Sequence, residues 1–365
     1  MGLPLFEHQK RSLEFLEQNE IVFDGSDPGT GKTRVAIEAF ARRRLKRGGR
    51  ALILAPKSLL RAAWAEDFAK FAPWIKVSIA YARNREEAFW DEADVYITNH
   101  DAAKWIARQK AVFFEKFDTL IIDESGAFKH ASSQRSKAVA KFARKFKYRL
   151  LMNGTIAPNT VLDAWHQMFI LDGGQRLGPS FYKFRQQVCT PTQVGPSANM
   201  LKWEDKPGAT DAVSALMSDI TIRHKFEDCL DIPENFQYAI PYHLTSRQRR
   251  VYNEMEKDKI AQIKPGEEIS AVHAASVATK LLQIASGAVY DENGTYKVVD
   301  DSRYEAVLEA AQQRQHSVVF FLWKHQKDKL IAEAEKRGIS YCLIDGSVSD
   351  TDRSNAVRRY LSLIH

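Results

Sequence analysis

The chain has 365 residues, 44% of them hydrophobic and 27% charged, a balance that indicates globular domains and argues against disorder. Lys and Arg number 53 against 46 Asp and Glu, so the net charge of +7 favours a polyanionic partner without identifying one. Cys189, Cys229 and Cys342 form no C-x-x-C pair, which argues against a disulfide framework or a zinc site. The longest apolar runs are too short to cross a bilayer, so we expect no membrane partner. A chain of this length predicts two or three domains.

The first part of the chain alternates short apolar runs with amphipathic segments. An amphipathic helix is predicted over residues 8–19, then a strand at 21–23, a Gly-rich turn, and a helix from about 32 to 46. Apolar runs that are typical of buried parallel strands follow at 51–55, 77–81, 95–98, 119–122 and 148–152. This alternation predicts an α/β fold with a doubly wound parallel sheet.

The pattern changes after about residue 172. The segment 191–210 is rich in Pro and Gly and predicts an irregular loop. A strand is predicted at 236–244 and a helix at 245–264, and Asn293-Gly294 predicts a hairpin turn between 288–290 and 296–299. A second β–α series then begins. Its predicted helices and strands are a helix near 303–315, a strand at 317–323, a helix at 325–337, a strand at 340–344 and a helix from about 350.

The predicted strand-turn-helix at 21–40 carries a phosphate-binding motif: Asp27, Pro28, Gly29, Thr30, Gly31, Lys32 and Thr33. Backbone N–H groups of a glycine turn at a helix N-terminus can surround a triphosphate. Lys32 would then lie near the β- and γ-phosphates, and the Thr33 hydroxyl could bind Mg²⁺. Ser26 stands where the generic Walker pattern has its first glycine, so the match is incomplete.

An acidic pair, Asp123-Glu124, follows the predicted strand at 119–122. Asp123 would hold Mg²⁺ through water, and Glu124 would orient and deprotonate the attacking water. Two half-sites at the ends of compatible strands are hard to obtain by chance. The two motifs together therefore predict ATP hydrolysis.

With these motifs in place, the sequence resembles the superfamily-two helicases, and within them the Snf family of double-stranded-DNA translocases in its compact bacterial or phage form. The likeness runs from about Leu5 to Tyr360, and members often lack the first Walker glycine. Residues 5–9 are similar to the adenine-reading segment, which implies that Gln9 contacts adenine. Segments 55–60 and 96–100 are similar to motifs Ia and Ib. This likeness implies DNA contacts by Pro56, Lys57, Ser58, Thr98, Asn99 and His100.

The match also has departures. Ser125 and Gly126 stand where the family's D-E-A-H box has Ala and His, and Ile156 replaces the usual Pro of motif III. Because that His helps to couple the two motor domains in the family, the coupling here must differ in detail. Later likenesses fall at the join of the motor domains and in the second domain: 222–225, 231–233, 244–248, 281–287, 320–321 and 345–347.

The resemblance implies four parts: a first RecA-like ATPase domain (1–172), its helical insertion and return strand (173–245), a linker or helical protrusion (246–300), and an incomplete second RecA-like domain (301–365). The family carries two further motifs after the segment that ends at Tyr360, including its catalytic arginines, and the sequence reaches His365 before either. We therefore expect a sound ATP pocket but DNA-stimulated hydrolysis near background.

Together these features imply a motor core that uses ATP and Mg²⁺ to move on double-stranded DNA without sequence preference, in the cytoplasm of a bacterial or phage-infected cell. Two alternatives stay open. One is a strand-separating helicase, and the other is a binding module that switches with nucleotide but does not translocate. DNA-stimulated turnover separates a motor from a switch, because a switch needs no DNA.

Overall fold

The computed structural model describes residues 4–157, 159–195, 197, 200–229, 236–261, 271–291 and 293–362. The chain divides into two compact units, Met1–Glu234 and Asn235–His365. The finer division into four parts stays a prediction. The family likeness at 231–233 and the end of the predicted helix at 262–264 lie outside the described residues.

Eleven strands occur in the described part of the chain. In chain order they are β1 (Ile21–Asp24), β2 (Ala51–Ala55), β3 (Val77–Ala80), β4 (Val95–Asn99), β5 (Thr119–Ile122), β6 (Tyr148–Met152), β7 (Cys189–Gln193), β8 (Leu201–Asp205), β9 (Thr221–Ile222), β10 (Ala288–Tyr290) and β11 (Tyr296–Val298). Seven of them form one parallel sheet in the order β3-β4-β2-β5-β6-β1-β9.

Fifteen α-helices accompany these strands in the same residues. They are α1 (Glu7–Gln18), α2 (Lys32–Arg47), α3 (Glu66–Phe71), α4 (Arg85–Trp90), α5 (Ala103–Ile106), α6 (Ala111–Glu115), α7 (Gln134–Phe142), α8 (Leu162–Asp172), α9 (Phe181–Val188), α10 (Ala209–Met217), α11 (Ser246–Ala261), α12 (Ala271–Ala285), α13 (Ser302–Gln312), α14 (Lys324–Lys336) and α15 (Asp350–Ser362). A π-helical segment, Leu60–Ala65, leads directly into α3.

The parallel sheet has a hydrophobic core on each face. In β2, Leu52 and Leu54 pack into one core while Ile53 packs into the other, because successive side chains of a strand point to opposite faces. Helices α1, α2 and α3 cover the Ile53 face, and α5, α7 and α8 cover the other. Coverage on both faces explains the continuous apolar runs in the sequence and confirms the predicted doubly wound α/β fold.

The segment predicted as an irregular loop contains instead an antiparallel hairpin of β7 and β8. Pro191 pairs with Trp203 in this hairpin. A two-stranded ribbon tolerates proline because both of its strands are edge strands, where a missing N–H can face solvent. The apolar pattern predicts no strand at 221–222, where the short edge strand β9 lies, since two residues give no detectable periodicity.

In the second unit, the hairpin of β10 and β11 forms around Asn293-Gly294 as predicted, and helices α11, α13, α14 and α15 are confirmed. The strands predicted at 236–244, 317–323 and 340–344 are wrong, because these described residues form no strand. A strand exists through its ladder of hydrogen bonds to a neighbour. The apolar side chains of Val318, Phe320 and Leu322 are exposed, with Phe320 92% accessible.

No helix in the described part of the chain is both long and apolar enough to span a membrane.

Candidate nucleotide-binding site

The glycine loop after β1 adopts the backbone geometry that a phosphate cradle requires. Gly29 and Gly31 have φ angles of 87° and 83°, in the left-handed region where residues with a Cβ are strained. A Cβ on Gly31 would overlap the side-chain amide nitrogen of Gln9. Gly31 is also the N-cap of α2, so the free N–H groups and the positive end of the helix dipole face the loop. The loop can therefore bind an anion through its backbone.

The ammonium of Lys32 lies inside the turn of this loop. Its Nζ donates to the carbonyl oxygens of Ser26 at 2.6 Å and Asp27 at 3.1 Å. The loop is thus already folded around a positive charge. Thr33, the next residue, places a half-buried hydroxyl in the first turn of α2.

The Asp123 carboxylate is held from two sides at the end of β5. Its Oδ2 accepts a hydrogen bond from Trp64 Nε1 at 2.9 Å, and its Oδ1 accepts from the Glu124 backbone N–H at 3.0 Å. Burial raises the pKa of the Asp123 carboxyl, whereas the Trp64 hydrogen bond and the positive charge of Lys32 lower it.

Glu124 differs from Asp123 in both backbone and environment. Its φ of 50° is the one positive value for a non-glycine residue in the described part of the chain. Such strain tends to occur at functional sites, where the surrounding structure holds it in place. The Glu124 side chain is exposed. It is therefore free to meet a ligand or water at the carboxyl edge of the sheet.

The loop after β6 joins the two half-sites, because β6 lies between β1 and β5 in the sheet. The backbone N–H of Asn153 donates to the Asp24 carbonyl at 3.1 Å. A Cβ on Gly126 would lie 3.0 Å from Asn153 Nδ2, and a Cβ on Gly154 would lie 3.3 Å from a Pro28 ring carbon. Close contacts therefore run from the phosphate loop through residues 153–154 to the Asp-Glu turn, which makes them one site.

Gln9, the predicted adenine contact, lies at the same edge. Its Nε2 donates to the Thr30 carbonyl at 3.1 Å, and its Oε1 accepts from the Phe6 backbone N–H at 3.1 Å. His8 also contacts the Thr30 carbonyl, through Nε2 at 2.9 Å. These bonds attach the start of α1 to the phosphate loop. The adenine role of Gln9 stays a prediction.

Ser125 has a defined partner in its unusual position. Its hydroxyl donates to Gln167 Oε1 at 2.7 Å, and Gln167 Nε2 donates to the carbonyls of Ile156 at 2.7 Å and Asp163 at 3.0 Å. The buried Gln167 side chain therefore links the Asp-Glu turn to α8 and to the loop before it. An Ala at position 125 could not make this bond.

The predicted DNA-contacting residues follow β2 and β4. Lys57 is exposed, and Pro56, Ser58 and Asn99 are half-buried. The other two side chains are buried. Thr98 is fully buried and donates from Oγ1 to the Ala80 carbonyl at 2.6 Å. His100 bonds through Nε2 to the Asp123 carbonyl at 2.8 Å.

Two features of the site were missed by the sequence analysis. Nothing in the apolar helical pattern around Trp64 reveals that its indole N–H donates a hydrogen bond to Asp123. The residues that follow β9 contact the phosphate loop from a distant part of the chain. Hydrogen bonds between positions so far apart in the sequence leave no local signal.

The parallel sheet, the glycine loop after β1 and the acidic pair after β5 define a RecA-like, helicase-type ATPase core. A family described as the SNF2-related domain matches residues 8–286. The chain belongs to this family.

Relatives from bacteria and phage agree with this placement. Protein p41 of Acyrthosiphon pisum secondary endosymbiont phage 1 is 28% identical over 319 residues, which cover 83% of this chain and 68% of the phage protein. An ATP-dependent helicase of Mycoplasma pneumoniae is 25% identical over 365 residues, which cover 94% of this chain. The match covers 32% of that helicase, so the chain corresponds to about a third of its length.

Solved structures support the fold. The SWI2/SNF2 ATPase core of Sulfolobus solfataricus, solved in complex with dsDNA, aligns over 99% of this chain and 76% of its own. The TM-score is 0.54 and the sequence identity is 19%. A second structure of the Sulfolobus solfataricus SWI2/SNF2 ATPase core domain aligns with a TM-score of 0.52.

Proposed function

We propose that this chain is an ATP-hydrolysing motor core that acts on double-stranded DNA. The observation that carries the proposal is the convergence of the phosphate loop and the Asp-Glu turn through residues 153–154. A glycine loop alone binds anions, whereas a loop that meets a carboxylate pair provides for both binding and water activation.

Each group in the site has a role in this proposal. The loop N–H groups at Gly29 and Gly31 and the start of α2 bind the phosphates, and Lys32 neutralises their charge. Thr33 and Asp123 would hold Mg²⁺, since a hydroxyl and a carboxylate are the oxygen donors that it prefers. Mg²⁺ supplies further positive charge beside the phosphates. Glu124 orients the attacking water and accepts its proton.

The Glu124→Gln variant tests the hydrolytic part of this proposal. Gln keeps the shape of the side chain but cannot accept the proton, so the variant should bind ATP as the wild type does and hydrolyse it at least about a hundredfold more slowly. Phosphate release under single-turnover conditions measures the rate. Equal rates in the two proteins would remove Glu124 from the mechanism.

For DNA, we propose contacts by Pro56–Ser58 and Asn99, with Thr98 and His100 as positioning residues. The dsDNA bound to the Sulfolobus relative and the net charge of +7 support this surface. Contacts should be mostly to phosphates, because a motor must not stall at particular sequences. The domain bounds given above and a cytoplasmic location belong to the same proposal.

The salt dependence of DNA binding tests this surface. Affinity for duplexes of unrelated sequence should be equal and should fall steeply with salt, and Lys57→Ala should reduce the slope by about one. Lys46→Ala, an exposed lysine at the far end of α2, should leave the slope unchanged. A strong base preference or salt-insensitive binding would contradict the proposal.

Two measurements distinguish this proposal from its alternatives, a strand-separating helicase and a binding module that switches with nucleotide. Even a small, reproducible stimulation of hydrolysis by duplex DNA separates a motor from a switch. Unwinding of a forked duplex would favour a strand-separating helicase over a translocase.

A further inference from the structure

The residues after β9 continue alongside the phosphate loop. Strand β9 pairs with β1 through Phe23 with Thr221 and Asp24 with Ile222. Beyond the end of β1, Gly25 N donates to the Ile222 carbonyl at 2.8 Å, and Asp27 N donates to the His224 carbonyl at 2.9 Å. The backbone of the phosphate loop is therefore joined along one flank to residues 222–226.

Two side chains of the loop add to this attachment. Ser26 Oγ accepts from the His224 backbone N–H at 3.0 Å, and Asp27 Oδ2 accepts from the Phe226 backbone N–H at 3.1 Å. Ser26 is 1% exposed, so water does not compete for its hydroxyl. Ser26 is the residue that replaces the first Walker glycine. A glycine at position 26 would have no side chain to accept this hydrogen bond from the His224 backbone N–H.

The Phe226 ring completes the contact by packing on Gly29. A Cβ built on Gly29 would lie 2.8 Å from a carbon of this ring. Gly29 has the left-handed backbone that bends the loop. The ring therefore restricts one of the glycines that give the loop its conformational freedom.

We propose that Ser26, Asp27 and Phe226 are positioning residues that hold the phosphate loop in its ATP-accepting form before ATP arrives. The inference rests on the proposed ATP site. A glycine-rich loop that is free in solution must lose backbone entropy when it closes on a ligand. A loop that is already fixed to residues 222–226 loses that entropy on folding, so its affinity for phosphates is higher.

This assignment makes an unusual prediction about position 26. Ser26→Gly completes the generic Walker pattern, yet it should weaken ATP binding rather than improve it. It removes the bond to His224 and adds backbone freedom. Ser26→Ala removes the bond alone and should raise the Kd about fivefold, and Ser26→Gly should raise it further.

The experiment is calorimetric titration of the full chain with a slowly hydrolysed ATP analogue and Mg²⁺. Ser78→Ala is the matched control, because the Ser78 hydroxyl is also buried and also makes a hydrogen bond to the backbone, donating to the Ala88 carbonyl at 2.9 Å. Both Ala variants should lose similar thermal stability, but only the Ser26 variant should lose affinity. Ser26→Thr, which keeps the hydroxyl, should retain more affinity than Ser26→Ala.

Phe226→Ala provides a second route if the buried Ser26 variants fold poorly. Phe226 is half-buried, so its truncation disturbs the core less, and it too should raise the Kd. Unchanged affinity in folded Ser26→Ala and Phe226→Ala proteins would overturn the inference. If Lys32→Ala abolished binding in the same series, the ATP site itself would stand. Absence of binding by the wild type would instead refute the proposed function.

Discussion

The hydrogen bond from Trp64 to Asp123 gives the most specific prediction about the metal-binding half of the site. Trp64 is fully buried, and its Nε1 donates to Asp123 Oδ2 at 2.9 Å. Trp64→Phe keeps an aromatic ring in the core and removes this donor. In this variant, Asp123 Oδ1 still accepts a hydrogen bond from the Glu124 backbone N–H, but Oδ2 no longer has the hydrogen bond that orients it.

The size of the effect follows from the charge on the acceptor. A hydrogen bond to a charged group contributes about 1.5–3 kcal/mol, which corresponds to about ten- to hundredfold in a binding constant. Burial already raises the pKa of Asp123, and loss of the Trp64 bond raises it further. Because Mg²⁺ needs the ionised carboxylate, and protonation increases as the pH falls, the defect should be larger at pH 6 than at pH 8.

The assay is the Mg²⁺ concentration that supports half-maximal binding of an ATP analogue, measured at both pH values. We expect a rise of about tenfold or more in Trp64→Phe. Trp165→Phe is the control, since the buried Trp165 also donates from Nε1, to the Gly178 carbonyl at 3.0 Å. Equal Mg²⁺ dependence in wild type and Trp64→Phe would refute the reasoning, as would an equal shift in the control.

Three further predictions concern the loop, the link to α8 and acid stability. Gly31→Ala should abolish ATP binding, whereas Gly48→Ala, at a φ of 72° with nothing near the added Cβ, should cost only backbone strain. Ser125→Ala should lower the free energy of unfolding, measured by urea titration, by about 1–3 kcal/mol. The double variant Ser125→Ala/Gln167→Leu should recover part of this loss, whereas strictly additive losses would contradict the hydrogen bond between Ser125 and Gln167. Burial lowers the pKa of His166, so the free energy of unfolding should decrease as the pH drops below about 6.5, by up to about 1.4 kcal/mol per pH unit. His166→Asn keeps a donor for the Phe128 carbonyl and should reduce this pH dependence. An unchanged pH dependence would exclude His166 as its cause.

The sequence was most informative where a local pattern and a local structure coincide. The apolar runs of β2 and β5 are buried on both faces, so they are recognisable as parallel strands without their neighbours. The Gly29-Thr30-Gly31 turn followed by Lys32 is likewise a local motif, because the loop and the helix that it caps are adjacent in the chain.

The wrong strand predictions concern segments whose structure depends on pairing with another strand. Residues 318–323 form a continuous apolar run, but whether they form a strand depends on a neighbour that the pattern does not contain. The hairpin of β7 and β8 was missed for the opposite reason, since its many Pro and Gly residues hid a pairing that both strands satisfy. The contact of Phe226 with Gly29 depends on the position of β9 at the sheet edge.

The most direct test of the central claim compares Mg²⁺-dependent ATP binding by wild type, Lys32→Ala, Glu124→Gln and Lys46→Ala. We expect wild type, Glu124→Gln and Lys46→Ala to bind with similar affinity. Lys32→Ala should bind at least about tenfold more weakly, because it loses the ammonium that lies within the phosphate loop. Equal affinity in wild type and Lys32→Ala would contradict the assignment of this loop as the ATP site.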